Sequence, residues 1–235
     1  MRIGLLSDAH GNPLALSACL RKLAELRVDS VYFLGDAVGY LPGESEVLRL
    51  LRSEGAHCQK GNHEAMLLGE LPLPAAKDET YRIGDARARL SAADRDYVLG
   101  WPDHRALDVE GKKLLLAHGS PADRLQGYVY PDSDLTPFDG LEYDAVIMGH
   151  THRPFVARRG DKLVVNVGSC GLPRDQGNLA AFGVFDASTF DCNIYRLPFS
   201  AGSVVDYFGA GRVPGAVYEC LFREPSGLPF GQHIR

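Results

Sequence analysis

The sequence predicts an α/β fold, because short apolar runs that end in Gly, Asp or His alternate with segments of helical period. A chain of 235 residues suits one domain, since a single core can grow to about 250 residues before chains usually split. Hydrophobic residues make up 45% of the chain, which is enough for a sizeable core. We therefore expect one α/β domain over residues 1–235.

Strands and helices alternate in the first part of the chain. The runs RIGLLSD, SVYFLGD and AHCQKGN are typical of strands, and each ends in a polar cluster. Between the first two, NPLALSACLRKLAELR is predicted to be a helix with Asn12 as its N-cap and Pro13 in its first turn. A second helix, PGESEVLRLLRSEG, is predicted to stop at Gly55.

The middle and the end of the chain have different patterns. Residues 70–100 are predicted to be helical, with a capping signal at Ser91–Asp94, and to form a partial cap over the site. Three hairpins are then predicted in RALDVEGKKLLLAHG, FVARRGDKLVVNVG and AAFGVFDASTFDCNIYRL, the first two turning at Glu110-Gly111 and Gly160-Asp161. A helical stretch near DLTPFDGL precedes a strand, DAVIMG, and a variable tail covers residues 200–235.

The charge and the apolar pattern restrict the partners of the protein. Charged residues are 23% of the chain and the formal net charge is −5, so the sequence offers no general basic surface for long duplex nucleic acid. An anionic substrate must therefore be held by a local positive centre. The short apolar run at the N-terminus is too short for a signal-peptide core, and no segment approaches the roughly 20 apolar residues of a membrane span.

The cysteines indicate the redox environment. They are five, an odd number, far apart and without a CxxC pair, in a chain too long to need a disulfide framework. We interpret them as small buried hydrophobic residues of a protein in a reducing compartment, and we expect the cytoplasm.

Metal-type donors follow several predicted strands. Ligands of α/β folds gather at the carboxyl ends of strands, and here those ends carry SDAHG, LGDAVG, KGNHE, LLAHG and MGHTH. Any one of these motifs is compatible with a helix cap, a turn or a buried structural histidine. Packing alone does not explain all five together, because burial disfavours charge. The remaining histidines, His57 in a strand, His104 in a turn and His233 in the tail, end no apolar run and receive no role.

The last motif leaves one question open. On an extended segment, residues i and i+2 point the same way about 6.5 to 7 Å apart. His150 and His152 could therefore bind one ion together or two separate ions.

The five motifs, in this order, resemble those of the calcineurin-like metallophosphoesterase superfamily. The resemblance covers Asp8 to His152, about three fifths of the chain, and NVGSCGLPRDQG after it is similar to the small bacterial and archaeal phosphodiesterases and phosphatases. It implies a four-layer α/β/β/α sandwich, with two mixed β-sheets flanked by helices. It also implies a dinuclear metal centre at the strand ends.

The resemblance assigns a role to each motif. Asp8, His10 and His152 would bind the first metal, Asn62, His118 and His150 the second, and Asp36 would bridge both. Mixed carboxylate, amide and imidazole donors suit Mn, taken as the first choice, or Fe, Ni, Co and Zn. The expected reaction is in-line attack of a metal-bound hydroxide on a phosphorus ester, with His63 as the catalytic histidine that acts on the leaving oxygen.

Two positions depart from the protein Ser/Thr phosphatases of the superfamily. The places of their phosphate-clamping arginines hold Tyr40 and Lys60, which favours small esters over phosphoproteins. Arg174 would either contact the substrate phosphate or form a surface salt bridge. Tyr40 would either stack on a base of the substrate or simply pack.

The leading hypothesis is a phosphoesterase acting on small phosphodiesters or phosphomonoesters, with nucleotides and dinucleoside polyphosphates among the options. The alternatives are a nuclease on short single-stranded nucleic acid and a non-catalytic metal-binding scaffold. The oligomeric state is left open, with a homodimer as one option.

Overall fold

The computed structural model describes residues 1–224, and their strands form two mixed five-stranded sheets. The strands are β1 (Arg2–Leu6), β2 (Ser30–Phe33), β3 (His57–Cys58), β4 (His104–Val109), β5 (Lys112–Ala117), β6 (Ala145–Met148), β7 (Phe155–Arg159), β8 (Lys162–Asn166), β9 (Leu179–Asp186) and β10 (Asp191–Pro198). The predicted tail beyond residue 224, including His233, lies outside the described residues.

Short helices surround the sheets. They are α1 (Pro13–Glu25), α2 (Glu44–Ser53), α3 (Asn62–Leu68), α4 (Ala75–Tyr81), α5 (Ile83–Arg89), α6 (Ala92–Leu99), α7 (Ala201–Phe208) and α8 (Gly215–Leu221). Two 3-10 turns lie at Thr136–Phe138 and Ala210–Arg212. No helix among residues 1–224 combines the length and the apolar character that crossing a membrane requires.

The first sheet has the strand order β10-β9-β1-β2-β3. Strands β1, β2 and β3 are parallel, so their carboxyl ends lie at one edge of the sheet. Strands β9 and β10 complete the sheet as an antiparallel hairpin against β1. The loops that follow the three parallel strands are therefore neighbours.

The second sheet has the strand order β4-β5-β6-β8-β7. Strands β5, β6 and β8 are parallel. Strand β4 pairs antiparallel with β5 in one hairpin, and β7 pairs antiparallel with β8 in another. The hairpin between β4 and β5 turns at Glu110 and Gly111, whose φ angles of 54° and 81° suit a two-residue loop that follows the twist of the strands.

The sheets pack face to face over an apolar core. Leu5 and Phe185 of the first sheet belong to the same buried cluster as Leu116, Ile147 and Val165 of the second. A second cluster covers the other face of the first sheet with apolar side chains of the helices that flank it. On the outer face of the second sheet, the segment around the 3-10 turn at Thr136–Phe138 packs its apolar residues. The predicted sandwich of two mixed sheets flanked by helices is confirmed.

Local signals in the sequence are reproduced in detail. The Asn12 side chain accepts a hydrogen bond from the Ala15 amide at 3.2 Å and so caps α1. Ser91 caps α6 in the same way through the Asp94 amide. Gly55 has a left-handed φ of 62° just past the end of α2, where a residue with a β-carbon would be strained.

Three expectations need correction or refinement. His104, which we expected in a turn, is the first residue of β4, because its pairing with Ala117 of β5 extends the hairpin back to this position. The stretch near DLTPFDGL forms only a 3-10 turn, and the helical prediction for residues 70–100 corresponds to three short helices, α4, α5 and α6. All five cysteines are buried and unpaired, as predicted.

We predict that Leu116→Ala will lower the free energy of unfolding by about 2–5 kcal/mol, because Leu116 is fully buried between the sheets. The matched control is Leu99→Ala, since Leu99 is 57% exposed at the end of α6 and should change stability by about 0.5 kcal/mol or less. Urea unfolding measures both. Equal decreases in the free energy of unfolding for the two variants would contradict the packed interface between the sheets.

Candidate metal centre

Polar side chains from both sheets meet at one end of the sandwich. The loops after β1 and β2, the start of α3, and the loops after β5 and β6 carry them. The residues are Asp8, His10, Asp36, Asn62, His63, His118, His150 and His152, and all are buried. The structure thus brings every sequence-predicted metal ligand, together with His63, to one place.

Three of these residues form a first cluster. The Nε2 atom of His152 lies 3.2 Å from Oδ1 of Asp8, and Nε2 of His10 lies 3.6 Å from the same oxygen. The two imidazole nitrogens are 3.0 Å apart. The donor atoms of Asp8, His10 and His152 are close enough together to hold one metal ion.

A second cluster is built around Asp36. Its Oδ2 lies 3.3 Å from Nε2 of His118, and His150 joins the two to form another group with metal-holding spacing. The Asn62 amide oxygen lies 3.1 Å from the same His118 nitrogen. Oδ2 of Asp36 also lies 3.7 Å from Nε2 of His10, so this carboxylate stands between the clusters.

Backbone carbonyl groups orient four of the imidazoles. The Nδ1 atoms of His10 and His63 lie 3.3 and 3.1 Å from the Val38 carbonyl oxygen. The Leu34 carbonyl meets Nδ1 of His118 at 2.9 Å, and the Leu172 carbonyl meets that of His152 at 2.5 Å. An Nδ1–H that donates to a carbonyl leaves the Nε2 lone pair free, which is the tautomer a metal ligand needs.

The backbone of the site is held in a conformation that costs energy. Ten residues other than glycine have a left-handed φ in the described part of the chain, and six of them lie at this site. They are Asp8, His10, Asp36, Tyr40, His150 and His152. Such residues are uncommon and each costs about 1–3 kcal/mol, so their concentration here indicates a functional site.

Hydrogen bonds between loops keep this backbone in place. The His10 amide donates to the Asp36 carbonyl at 2.9 Å, which ties the first two loops together. Across the sheets, the His150 amide donates to Oδ2 of Asp8 at 3.0 Å. Gly149 fits this contact because a β-carbon there would collide with Ser7 and Asp8.

The carboxylate of Glu64 was given no role in the sequence prediction, yet it organises the Asp36 loop. One oxygen accepts hydrogen bonds from the amides of Ala37 and Val38, and the other from those of Asp36 and Gly61, at 2.7–3.2 Å. Glu64 is the third residue after Gly61, the N-cap of α3, and this capping-box spacing is the signal that could have identified it.

Burial keeps three histidines of the site neutral. It lowers the pKa of His63 and His150 to about 3 and that of His152 to about 4, because the charged ring loses its hydration. His118 differs. Burial also acts to lower its pKa, but the carboxylates around it, Asp36 above all and then Asp8 and Glu64, together outweigh that effect and raise the pKa to about 9.

The two aspartates are ionised in spite of their burial. Burial alone would raise the pKa of each carboxyl group. The histidines that face Asp8, chiefly His152, and those that face Asp36, chiefly His118, outweigh burial and bring both pKa values below the ordinary range. The protein thus holds two buried negative charges among imidazoles.

The arrangement fits divalent cations. Oδ1 of Asp8 and Nε2 of His150 are buried without a hydrogen-bond partner among the described residues. An unsatisfied buried polar atom costs about 1–3 kcal/mol, and a cation would satisfy both atoms. Imidazole nitrogens with carboxylate and amide oxygens suit transition metals better than Ca or Mg.

Two other predicted site residues, Tyr40 and Arg174, lie next to each other, and Tyr40 contacts His63. Tyr40 is 6% exposed, and its ring stacks on that of His63 at 5.1 Å. The Tyr40 hydroxyl accepts a hydrogen bond from Arg174 at 3.0 Å. Among residues 1–224 no carboxylate lies within 4.0 Å of the Arg174 guanidinium, so the predicted alternative of a surface salt bridge finds no partner there. Lys60 pairs with Glu70 at 2.6 Å.

Two tyrosines at the site were not predicted. Tyr81, the last residue of α4, places its ring 4.7 Å from that of His63, so the 70–100 segment contacts the site at this point. Tyr128 is 54% exposed and lies 4.3 Å from the ring of His150. Neither follows a predicted strand, so no sequence signal marked them.

Several known proteins are similar to this chain in sequence or in fold. An uncharacterised protein of Methanocaldococcus jannaschii is 27% identical over 94% of this chain and 97% of its own length. The Escherichia coli phosphodiesterase YfcE is 24% identical over 66% of this chain and 85% of its own length. The crystal structure of a metallophosphoesterase from Sphaerobacter thermophilus has the same fold, with a TM-score of 0.80 and 24% identity over 94% of this chain and 98% of that one.

Residues 1–189, which contain every residue of the two metal-type clusters, match the calcineurin-like phosphoesterase superfamily domain. That superfamily implies divalent metal ions, and the clusters supply donors for them. The chain therefore belongs to the calcineurin-like phosphoesterase superfamily and is an enzyme that hydrolyses phosphoester bonds.

Proposed function

We propose that the protein hydrolyses small phosphoesters with the help of two divalent transition-metal ions. The observation that supports this most strongly is the pair of clusters, Asp8-His10-His152 and Asp36-His118-His150, that meet at the Asp36 carboxylate. Their spacing favours separate ions for the two histidines of the GHTH motif. Manganese is our first choice, since the donor set is mixed.

Each ion would have four protein donors. Asp8, His10 and His152 would hold one ion, and Asn62, His118 and His150 the other, with Asp36 shared. Two such ions, when bound, neutralise charge on phosphate oxygens and lower the pKa of a water molecule. The protein would keep three of the ligand imidazoles, those of His10, His118 and His152, oriented toward the ions, because their Nδ1 atoms are hydrogen-bonded to backbone carbonyl groups.

His63 is the group we assign to the leaving oxygen. Its amide donates to Oδ1 of Asp36 at 2.9 Å, and its Nε2 lies 3.9 Å from Oδ2 of the same carboxylate. Burial keeps its pKa low in the free protein, while Asp36 acts in the opposite direction. The negative charge of a bound substrate would act with Asp36 to favour the protonated ring, which can donate to the leaving oxygen.

Arg174 is the group we assign to a phosphate oxygen. Its charge is close enough to His152 to help lower the pKa of that histidine, after the larger effect of burial. Only one of its five N–H groups is engaged by Tyr40, so donors remain for a phosphate oxygen. Tyr40 then serves to position both Arg174 and His63 instead of stacking on a substrate base.

The substrate is a small phosphoester. The E. coli relative is named a phosphodiesterase, which favours a diester as the first substrate to test. The scaffold alternative finds no support in the site, because every predicted donor converges there. The cytoplasmic location and the oligomeric state stay predictions.

We expect the metal-stripped protein to be inactive and to regain turnover when Mn, Ni, Co, Zn or Mg is added back, with Mn giving the highest rate. The substrates are aryl phosphodiesters, aryl phosphomonoesters, cyclic nucleotides and dinucleoside polyphosphates. Absorbance assays and phosphate release measure the turnover. If no metal restores turnover of any substrate, the proposed function is refuted. Turnover of diesters alone would exclude the phosphatase alternative.

We predict that His150→Ala and His152→Ala will each lower the affinity for a different ion by more than about tenfold. Even changes in residues that contact a metal ligand lower the metal affinity about ten- to hundredfold. Calorimetric titration with Mn measures the affinity and the number of ions. The double variant His10→Ala/His152→Ala should keep the affinity for one ion unchanged, whereas His150→Ala/His152→Ala should weaken the binding of both. Equal behaviour of the two double variants would disprove the division of ligands.

We predict that His63→Ala will lower kcat by about 10²–10⁴-fold for a poor leaving group, the usual effect of a general acid. The loss should be smaller for p-nitrophenolate, which needs little protonation. Metal content serves as the control and should not change. Full turnover of the poor leaving group by this variant would show that His63 has another role.

A further inference from the structure

A cavity of about 370 Å³ lies beside the candidate metal centre and is rich in arginine. Three separate parts of the chain form it: the loop after β2, the helices within residues 70–100, and the tail around the second 3-10 turn. Its lining residues are Tyr40, Pro42, Arg82, Arg89, Gly211 and Arg212. Three guanidinium groups around one cavity are unexpected in a chain with a net charge of −5.

Two of these arginines are only partly engaged. Nε of Arg82 lies 2.9 Å from Asp85, and Nε of Arg89 lies 2.7 Å from Glu44. Within residues 1–224 both contacts are made through Nε, and the terminal nitrogens of Arg82 and Arg89 make no hydrogen bond. The carboxylates thus fix one edge of each guanidinium and leave its remaining donors available.

Arg212 carries charge that no carboxylate balances. It is exposed, and the described part of the chain places no carboxylate within 4.0 Å of it. The cavity therefore combines unbalanced positive charge with free N–H donors in planar groups. Phosphate is the anion that this combination suits best, because a guanidinium can bind two of its oxygens at once.

The cavity is separated from the metal centre by one layer of side chains. Tyr40 forms part of its wall, and the ring of Tyr40 lies 4.7 Å from that of His10 and 5.1 Å from that of His63. Arg82 directly follows Tyr81, whose ring lies 4.7 Å from that of His63. An anion in this cavity would thus lie next to the reacting group and not in its place.

We propose that this cavity binds a second, non-reacting phosphate group of the substrate. The preferred substrate then carries at least two phosphate groups, one at the metal centre and one among Arg82, Arg89 and Arg212. This inference rests on the proposed function for the reacting group. The same chemistry would also admit free inorganic phosphate, and the experiment must separate these two sources.

The test uses Arg212→Ala, because this arginine is exposed and its loss leaves no buried carboxylate behind. Arg89 is unsuitable, since Glu44 is 1% exposed and would lose its partner. The matched control is Arg21→Ala, an exposed arginine on α1 outside the cavity. The substrates are p-nitrophenyl phosphodiesters with the same leaving group, whose other ester is either methyl or an alkyl chain of increasing length that ends in phosphate.

We expect Arg212→Ala to raise KM by about tenfold for the phosphate-bearing diester whose chain length suits wild type best, the size of one charged hydrogen bond. Its kcat on that diester, and both constants for the methyl diester, should not change. The Arg21→Ala variant should behave as wild type. An equal change for both kinds of diester, or no preference of wild type for the phosphate-bearing series, would overturn the proposal.

A binding measurement separates this inference from the proposed function. Calorimetry with inorganic pyrophosphate, with and without Mn, should show binding that Arg212→Ala weakens in both conditions. If wild type hydrolyses no ester, Arg212-dependent binding still supports the cavity as an anion site, and equal binding by both proteins refutes it. If Arg212→Ala weakens the binding of pyrophosphate but leaves KM for the phosphate-bearing diester unchanged, the cavity binds free phosphate and is not a substrate subsite.

Discussion

The position of the Asp36 carboxylate is the constraint on which the rest of the site depends. It faces His118 at 3.3 Å, His10 at 3.7 Å and His63 at 3.9 Å, so it contacts residues of both clusters. Its loop is held by Glu64, which accepts four amide hydrogen bonds. A β-carbon at Gly61 would collide with Asp36. Because Asp36 contacts His10 of one cluster and His118 of the other, a shift of this loop would change the distance between the clusters.

The metal-type site needs both sheets, because each sheet carries only part of the donor set. One sheet alone supplies an incomplete set, since Asp8, His10 and Asp36 follow strands of the first sheet and His118, His150 and His152 follow strands of the second. Packing of the apolar faces brings the two sets of loops together. The contact between the His150 amide and Asp8 then links them directly. The hydrophobic interface thus determines the distance between metal ligands.

Burial and strain at the site are consistent with a binding role. Buried carboxylates, neutral imidazoles and six left-handed residues all oppose stability unless something else compensates. Backbone carbonyls and amides supply part of that compensation by fixing the rings and Asp36. Bound cations would supply more, because Asp8 and His150 still have unsatisfied atoms. This balance explains why a sandwich with a well-packed core keeps so many polar groups in its interior.

The sequence alone determined the α/β class, most strand and helix positions, and the residues that converge at the site. Those features depend on local patterns, namely apolar periodicity, the caps at Asn12 and Ser91, and polar motifs at strand ends. The same patterns could not decide whether His150 and His152 belong to one cluster or two. The family resemblance assigned the two histidines to different ions, and the tertiary structure gives the physical reason for their separation: the loop is left-handed at both residues and not extended, so each imidazole meets a different partner from elsewhere in the chain. Only the tertiary structure decided the roles of Glu64 and Tyr40 and the arginine-lined cavity, since these depend on contacts between residues that are distant in sequence.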